Sequence, residues 1–169
     1  MNIRQLEAHD APFYQPLRLR ALREHPEAFG SSLEDEQPLP LEHVARRLED
    51  TSGNSVSFGT WLDGQLVGIV NLYRSPRPKT RHKALLGGMY VAPEARGNRI
   101  GKALLEHTLS YARTMDGLED VTLAVTVGNN AARRLYLGAG FVPYGVEPRY
   151  IKLGNRYFDI EWMILRLGA

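Results

Sequence analysis

Arg96, Gly97, Arg99, Gly101 and Lys102 crowd into one short stretch, VAPEARGNRIGKALL, residues 91–105. An apolar run of strand length, ALLGGMYV, precedes it, and a helical pattern follows. The first N–H groups of a helix have no partner within the helix, and the helix dipole is positive there. Phosphate is the natural ligand for such a place. Glycines let the backbone come close to it, and the basic side chains add charge. A P-loop does not fit, because Ala103 follows Lys102 and the glycine spacing differs. The dinucleotide fingerprint G-x-G-x-x-G is absent as well. Two readings remain: a pyrophosphate held by a basic R-G-x-x-x-G turn, or a solvated strand-to-helix loop with a capping glycine.

A second segment, NNAARRLYLGAGF, places Ala132, Leu135, Tyr136 and Ala139 on one helical face behind Asn129. A tyrosine on a core-facing stripe is usually packing. A phenol also makes a proton donor for a leaving group.

The elements that must position these residues can be read along the chain. MNIRQL suits a short strand. Asp10 stands where it would cap a helix from about Pro12 to Glu24, with Leu17, Ala21 and Leu22 at helical spacing. Prolines, a glycine and an acidic cluster break HPEAFGSSLEDEQPLP into loop, and LEHVARRLED suits a short helix. In SVSFGTWLDGQLVGIVNLY, Asp63-Gly64 sits between two strand-like runs and predicts a hairpin with a type I′ turn. Gly87-Gly88 inside the next strand marks a bulge or a close backbone approach. The helix after the basic loop carries Gly101, Leu104, Leu105, Thr108, Leu109 and Ala112 on one face. VTLAVTV suits a buried strand, and PRYIKLGNRYFDIEWMILRL a terminal hairpin turning at Gly154-Asn155. The fold class is mixed α+β around a central sheet.

Composition narrows the function. The chain has 169 residues, enough for one domain spanning 1–169. No apolar run is long enough to span a membrane, and the N-terminus lacks a signal-peptide core, so a cytoplasmic protein is expected. Cysteine is absent, which removes disulfides and thiol nucleophiles. The histidines show no metal-binding spacing, so no metal is expected. A net charge of +2 is too small to argue for nucleic acid.

The two segments in order, MYVAPEARGNRIGKALL and then N-x-x-A-x-x-LY-x-x-x-GF (Asn129, Ala132, Leu135, Tyr136, Gly140, Phe141), resemble the GCN5-related N-acetyltransferase superfamily. They cover about residues 84 to 141, and the strand order outside them fits too. The resemblance implies a mostly antiparallel twisted sheet of about seven strands with about four helices, splayed between the fourth and fifth strands. It implies acetyl-CoA as cosubstrate and direct transfer to a primary amine in a ternary complex. The family's [QR]-x-x-G-x-[GA] pattern falls on Arg96, Gly97, Asn98, Arg99, Ile100 and Gly101, followed by Lys102. Arg99 stands where glycine is usual. The strand Met89, Tyr90, Val91 would pair with the pantetheine arm, Asn129 would cap its helix and touch that arm, and Tyr136 matches the general acid.

The acceptor side would be built from EAFGSSLEDE and GVEPRYIKLGNRYFD. These bring Phe29, Tyr150 and Tyr157 as walls and Glu34, Asp35 and Glu36 as cation partners. An alkyl ammonium is only about 0.1% neutral at pH 7, so a base or water relay helps. The strand carries no carboxylate for that task. Candidates are Glu34, Glu36, His82, Glu147, Asp159 and Glu161, while His107 suits a structural role. The acceptor is expected to be a small-molecule amine, a protein N-terminus or a lysine, and the protein a monomer or homodimer. The alternatives are a non-catalytic acyl-CoA-binding or regulatory domain of the same fold and an RNA-associated module, the latter opposed by the near-balanced charge.

Overall fold

The computed structural model describes residues 1–168. Its sheet has seven strands in the order β1-β2-β3-β4-β5-β7-β6. β1 (Asn2–Gln5), β2 (Ser55–Leu62), β3 (Gln65–Arg74) and β4 (Lys83–Val91) run antiparallel in sequence. β5 (Asp120–Thr126) lies parallel to β4, and β7 (Arg156–Arg166) and edge strand β6 (Val142–Leu153) complete it antiparallel. The β2–β3 turn forms as expected: Asp63 and Gly64 both have positive φ, 47° and 79°, and Leu62 pairs with Gln65.

Each face of the sheet is covered. α1 (Ala11–Glu24) and α3 (Leu41–Leu48) lie on one face, where Tyr14, Leu17, Ala21, Val44 and Leu48 meet Ile69 and Tyr90. α4 (Ile100–Thr114) and α5 (Asn130–Gly138) supply the other, where Leu104, Leu105, Leu109 and Tyr136 meet Val70, Leu72, Val121 and Leu123. Neighbouring residues of β3 thus point into different cores, as the two-residue period of a strand requires. His107 packs edge-on to Phe58, 4.9 Å between ring centres.

Three local expectations change. Asp10 sits at the start of α1, but its carboxylate does not cap that helix. It is 1% exposed, accepts from Arg4 Nη1 and Nη2 at 2.7 Å each and accepts the Glu7 N–H. Leu33–Glu36 is a one-turn helix, α2, rather than loop, because Ser32 accepts the Asp35 N–H while Asp35 accepts the Ser32 N–H. That makes five α-helices among the described residues where about four are expected. β6 begins at Val142, earlier than the sequence pattern suggests, despite Pro143 and Pro148. An edge strand tolerates proline at its unpaired side and at irregularities, and the β6–β7 register shifts at both places.

Candidate functional site

The site is an opening in the sheet. β4 and β5 pair only through Lys83–Asp120, Ala84–Val121 and Leu85–Thr122, and then they separate. The cause lies in β4. Its register with β3 shifts between Gly87 and Tyr90, so Gly88 and Met89 stand across from Val70 as a bulge. Gly88 has φ +63°, and a Cβ there would overlap the Asn71 amide nitrogen. Only glycine fits, and the diverging strands leave a cleft of about 520 Å³.

Most of the cofactor residues expected from the sequence meet in this cleft: Met89, Tyr90, Val91, Arg96, Gly101, Asn129 and Tyr136 all line it. At its mouth α4 begins. Ala103 is the first residue there to reach back, bonding Arg99 O at 2.9 Å, which leaves the N–H groups of Ile100, Gly101 and Lys102 without a helical partner. Gly97 has φ +87°. Arg99 is left-handed at φ 56°, ψ 18°, which explains in conformational terms why glycine is usual there. Gly101 differs: a Cβ there would meet Leu135, Met89 and Val91 no closer than 3.7 Å. The fold itself does not demand that glycine, so its bareness fits a ligand backbone or phosphate approaching α4.

The basic side chains of the loop are less free than their spacing suggests. Arg96 donates from Nε to Val91 O at 3.1 Å and lies 3.3 Å from His25 Nε2. Lys102 sits 3.6 Å from Glu106 in an exposed pair, and Ile100 is buried in the core. Tyr90 turns its hydroxyl to α1, donating to Glu24 at 2.6 Å. Burial and that carboxylate push its phenol up to about 12. The loop thus offers an anion its backbone N–H groups, with the exposed Arg99 beside them.

Asn129 caps α5, accepting the Ala132 N–H at 3.2 Å, and α5 stops where Gly140 takes φ +95°. That places Tyr136 on the cleft wall, 8% exposed, edge-on to Phe141 and with its hydroxyl 3.8 Å from Met89 Sδ. Burial pushes the phenol up to about 12, so it stays protonated through the neutral range.

The acceptor-side candidates scatter. Phe29 lines the cleft and also a neighbouring hollow of about 540 Å³, where Glu34 and Tyr150 lie. Tyr157 lines neither and instead carries the Arg149 guanidinium 3.9 Å over its ring. Glu36, expected as an open carboxylate, is buried and held by Arg18, which donates from Nη2 at 2.8 Å and from Nε. Burial alone would raise this carboxyl, but the Arg18 hydrogen bonds and charge outweigh that and hold it below the usual range. Asp35 is spent on its capping box. Glu161 pairs with Arg133 at 2.7 Å, Asp159 accepts the Arg149 N–H, and Glu147 accepts the Trp162 indole N–H. His82 precedes β4 at the end away from Met89–Val91. His25, Glu27 and Thr126, which no motif marks, also stand in the cleft wall. Thr126 donates to Glu27 O at 2.7 Å, which draws the segment after α1 over the end of β5. No spacing signal marks that contact, because it joins residues 99 apart.

Comparison with known proteins agrees with this geometry. The family model described as Acetyltransferase (GNAT) family matches residues 17–141. The mycothiol acetyltransferase of Stackebrandtia nassauensis is 36% identical over 94 residues, which are 54% of this chain and 29% of that protein. The chain thus spans under a third of that relative's length. The L-amino acid N-acetyltransferase AaaT of Escherichia coli is 25% identical over 146 residues, covering 86% of this chain and 88% of its own. A crystal structure of an acetyltransferase of the GNAT family from Streptococcus pneumoniae superposes with a TM-score of 0.89 at 25% identity, over 99% of both chains. With the family model matching well over half its length, and the splayed sheet and loop-to-helix turn in place, the chain belongs to the acetyltransferase (GNAT) family.

Proposed function

We propose that this protein transfers the acetyl group of acetyl-CoA to a primary amine, both substrates being bound at once. The observation that carries this reading is the cleft itself. It joins three unpartnered N–H groups at the start of α4 to the bulged edge of β4 and to a protonated Tyr136. The residues present fit the cosubstrate: helix N–H groups suit a pyrophosphate, and an exposed strand edge suits an extended chain bearing amides. Acetyl-CoA supplies an activated thioester carbonyl and a thiolate leaving group.

The chain's own groups then have distinct tasks. The N–H groups of Ile100, Gly101 and Lys102 hold the pyrophosphate. Met89 to Val91 align the pantetheine arm, with Asn129 opposite. Backbone N–H near the Gly88–Met89 bulge stabilises the charge developing on the carbonyl oxygen. The Tyr136 hydroxyl gives its proton to the departing sulfur. The amine needs to lose a proton before it attacks. Glu27, in the cleft wall 3.8 Å from His25, is the carboxylate placed to take it, directly or through water.

The relatives named above support an amine acceptor in kind, since one of them is named for acting on L-amino acids. A cytoplasmic site of action belongs to the same proposal, supported by the absence of cysteine. An acceptor screen that follows CoA release and confirms each product by mass tests the reading. Acetylated amine formed in step with CoA is the expected result. Tight acetyl-CoA binding without turnover of any amine would favour a non-catalytic acyl-CoA-binding domain instead.

A further inference from the structure

Arg18 has a donor to spare. Its residue is 7% exposed, and Glu36 takes Nε and Nη2, so one edge of the guanidinium is fully used. Nη1 is buried with no hydrogen-bond partner. Buried donors are almost always paired, so an orphan on a cationic side chain asks for a missing acceptor.

Its location says what kind. Nη1 lies 3.7 Å from where a Cβ on Gly88 would be, at the β4 bulge that opens the cleft. Phe29 stacks 4.9 Å over the same guanidinium and forms part of the cleft wall. Gly88 is adjacent to Met89, whose sulfur touches the Tyr136 hydroxyl. The free donor therefore lies beside the strand bulge, with Phe29 between its guanidinium and the cleft. Charge favours an anion as well: Arg47 also acts on Glu36, so Arg18, Glu36 and Arg47 together leave one positive charge in excess. A guanidinium edge matches a carboxylate in shape and charge.

We propose that Arg18 Nη1 receives the carboxylate of the acceptor, and that the acceptor is a free α-amino acid. Gly88 adjoins both the free donor and Met89, and an α-amino acid is the smallest acceptor that carries an amine and a carboxylate together. Phe29 turns from its stacked position to admit that group. Arg18 is then a specificity-determining residue, with Glu36 fixing its orientation. This inference rests on the acetyl-transfer reading above.

The test compares L-leucine, L-phenylalanine and L-methionine with the matching amines that lack the carboxylate, and with their amides, measuring kcat/KM from CoA release. At least tenfold preference for the acids, carried mainly by KM, is expected in the unaltered protein. Arg18→Lys keeps a cation against Glu36 but removes Nη1, and the preference should then fall toward one. The double variant Arg18→Met, Glu36→Met removes the pair together and should lose the preference too. Equal kcat/KM for acids and decarboxylated amines in the unaltered protein would overturn the proposal and assign Nη1 to a buried water. Turnover of no amine at all would contradict the acetyl-transfer reading instead. Calorimetry of the same amino acids with the CoA-loaded protein then decides this inference: binding lost in Arg18→Lys supports it, and binding of none overturns it.

Discussion

The two walls of the cleft are made of different materials. The wall formed by β4 and the start of α4 works through its backbone: a bulge at Gly88, a left-handed Arg99 and three N–H groups at a helix start. The wall formed by the segment after α1, with α2 beside the neighbouring hollow, works through side chains, and most of the charges there are already answered. Glu36 is held by Arg18, Asp35 by Ser32, and Arg96 reaches across to His25. A backbone site depends on where glycine is allowed, while a side-chain site depends on which partner is nearest in space. The first is insensitive to the acceptor, and the second can change with it on a constant fold.

The largest effect should come from Tyr136, which α5 presents to the cleft. Tyr136→Phe keeps the ring packing against Phe141 and removes only the proton. General acid catalysis typically contributes ~10² to 10⁴ in rate, so kcat should fall within that range. Acetyl-CoA affinity measured by calorimetry should hardly change. A wild-type kcat would return Tyr136 to packing and leave water to protonate the thiolate. The same phenol, pushed up to about 12, should keep the acidic group protonated well past pH 9. An alkaline loss of kcat near pH 9 that vanished in the Phe variant would contradict that.

Next is the bulge. Gly88→Ala forces a side chain onto the Asn71 amide at a positive φ. Overpacking and left-handed strain together should cost about 2–4 kcal/mol in denaturant unfolding. Gly87→Ala is the control, because a Cβ there meets nothing within 4 Å. Equal losses for both would mean that the bulge is not what fixes the opening.

The buried, ion-paired carboxylates on the α1 side of the sheet should reveal themselves in acid. Arg4 and its hydrogen bonds hold the Asp10 carboxyl below its usual range, and Arg18 does the same for Glu36 against the opposing effect of burial. Carboxyls lowered in the fold contribute stability that is present above their unfolded values, ~4, and is lost as pH falls through the folded ones. Stability should therefore drop below about pH 4. Asp10→Asn should lower stability at pH 7 and flatten that acid slope, as read from chemical melts between pH 2 and 7. An unchanged slope would mean that the Arg4 pair contributes little.

The smallest effect sharpens the comparison most finely. Arg99 is left-handed at the N-cap of α4, with a positive charge at the positive end of the helix. Arg99→Gly relieves both and should stabilise the fold by about 1 kcal/mol. Differential scanning calorimetry would show this as a rise of ~2–4 °C in Tm. A fall in Tm would show that the Arg99 side chain makes contacts that outweigh the strain.

The same contrast explains what the sequence disclosed. Asp63-Gly64, Gly87-Gly88 and the Asn129 cap were legible because each is a local conformational requirement written in residue type. The count of about seven strands and the opening between the fourth and fifth followed from the resemblance of the two segments; the place of β7 inside β6 did not. Partner choice was not legible. Nothing in SSLEDEQ says that Glu36 meets Arg18, 18 residues earlier, or that Asp10 turns to Arg4 instead of capping α1. His25 and Glu27 reach the cleft only because the chain after α1 is drawn to Thr126.

On the proposed reading, the start of α4 holds the cosubstrate through backbone that a side chain would obstruct. Calorimetric titration of acetyl-CoA into the unaltered protein and into Gly101→Val tests it most directly. The fold leaves room for the first carbon, 3.7 Å from Leu135 and Met89, so Tm should stay close to that of the unaltered protein. Affinity should fall at least tenfold, ~1.4 kcal/mol, as the branched side chain narrows the mouth of the cleft. Equal affinity in a normally folded variant would contradict the assignment and place the pyrophosphate elsewhere.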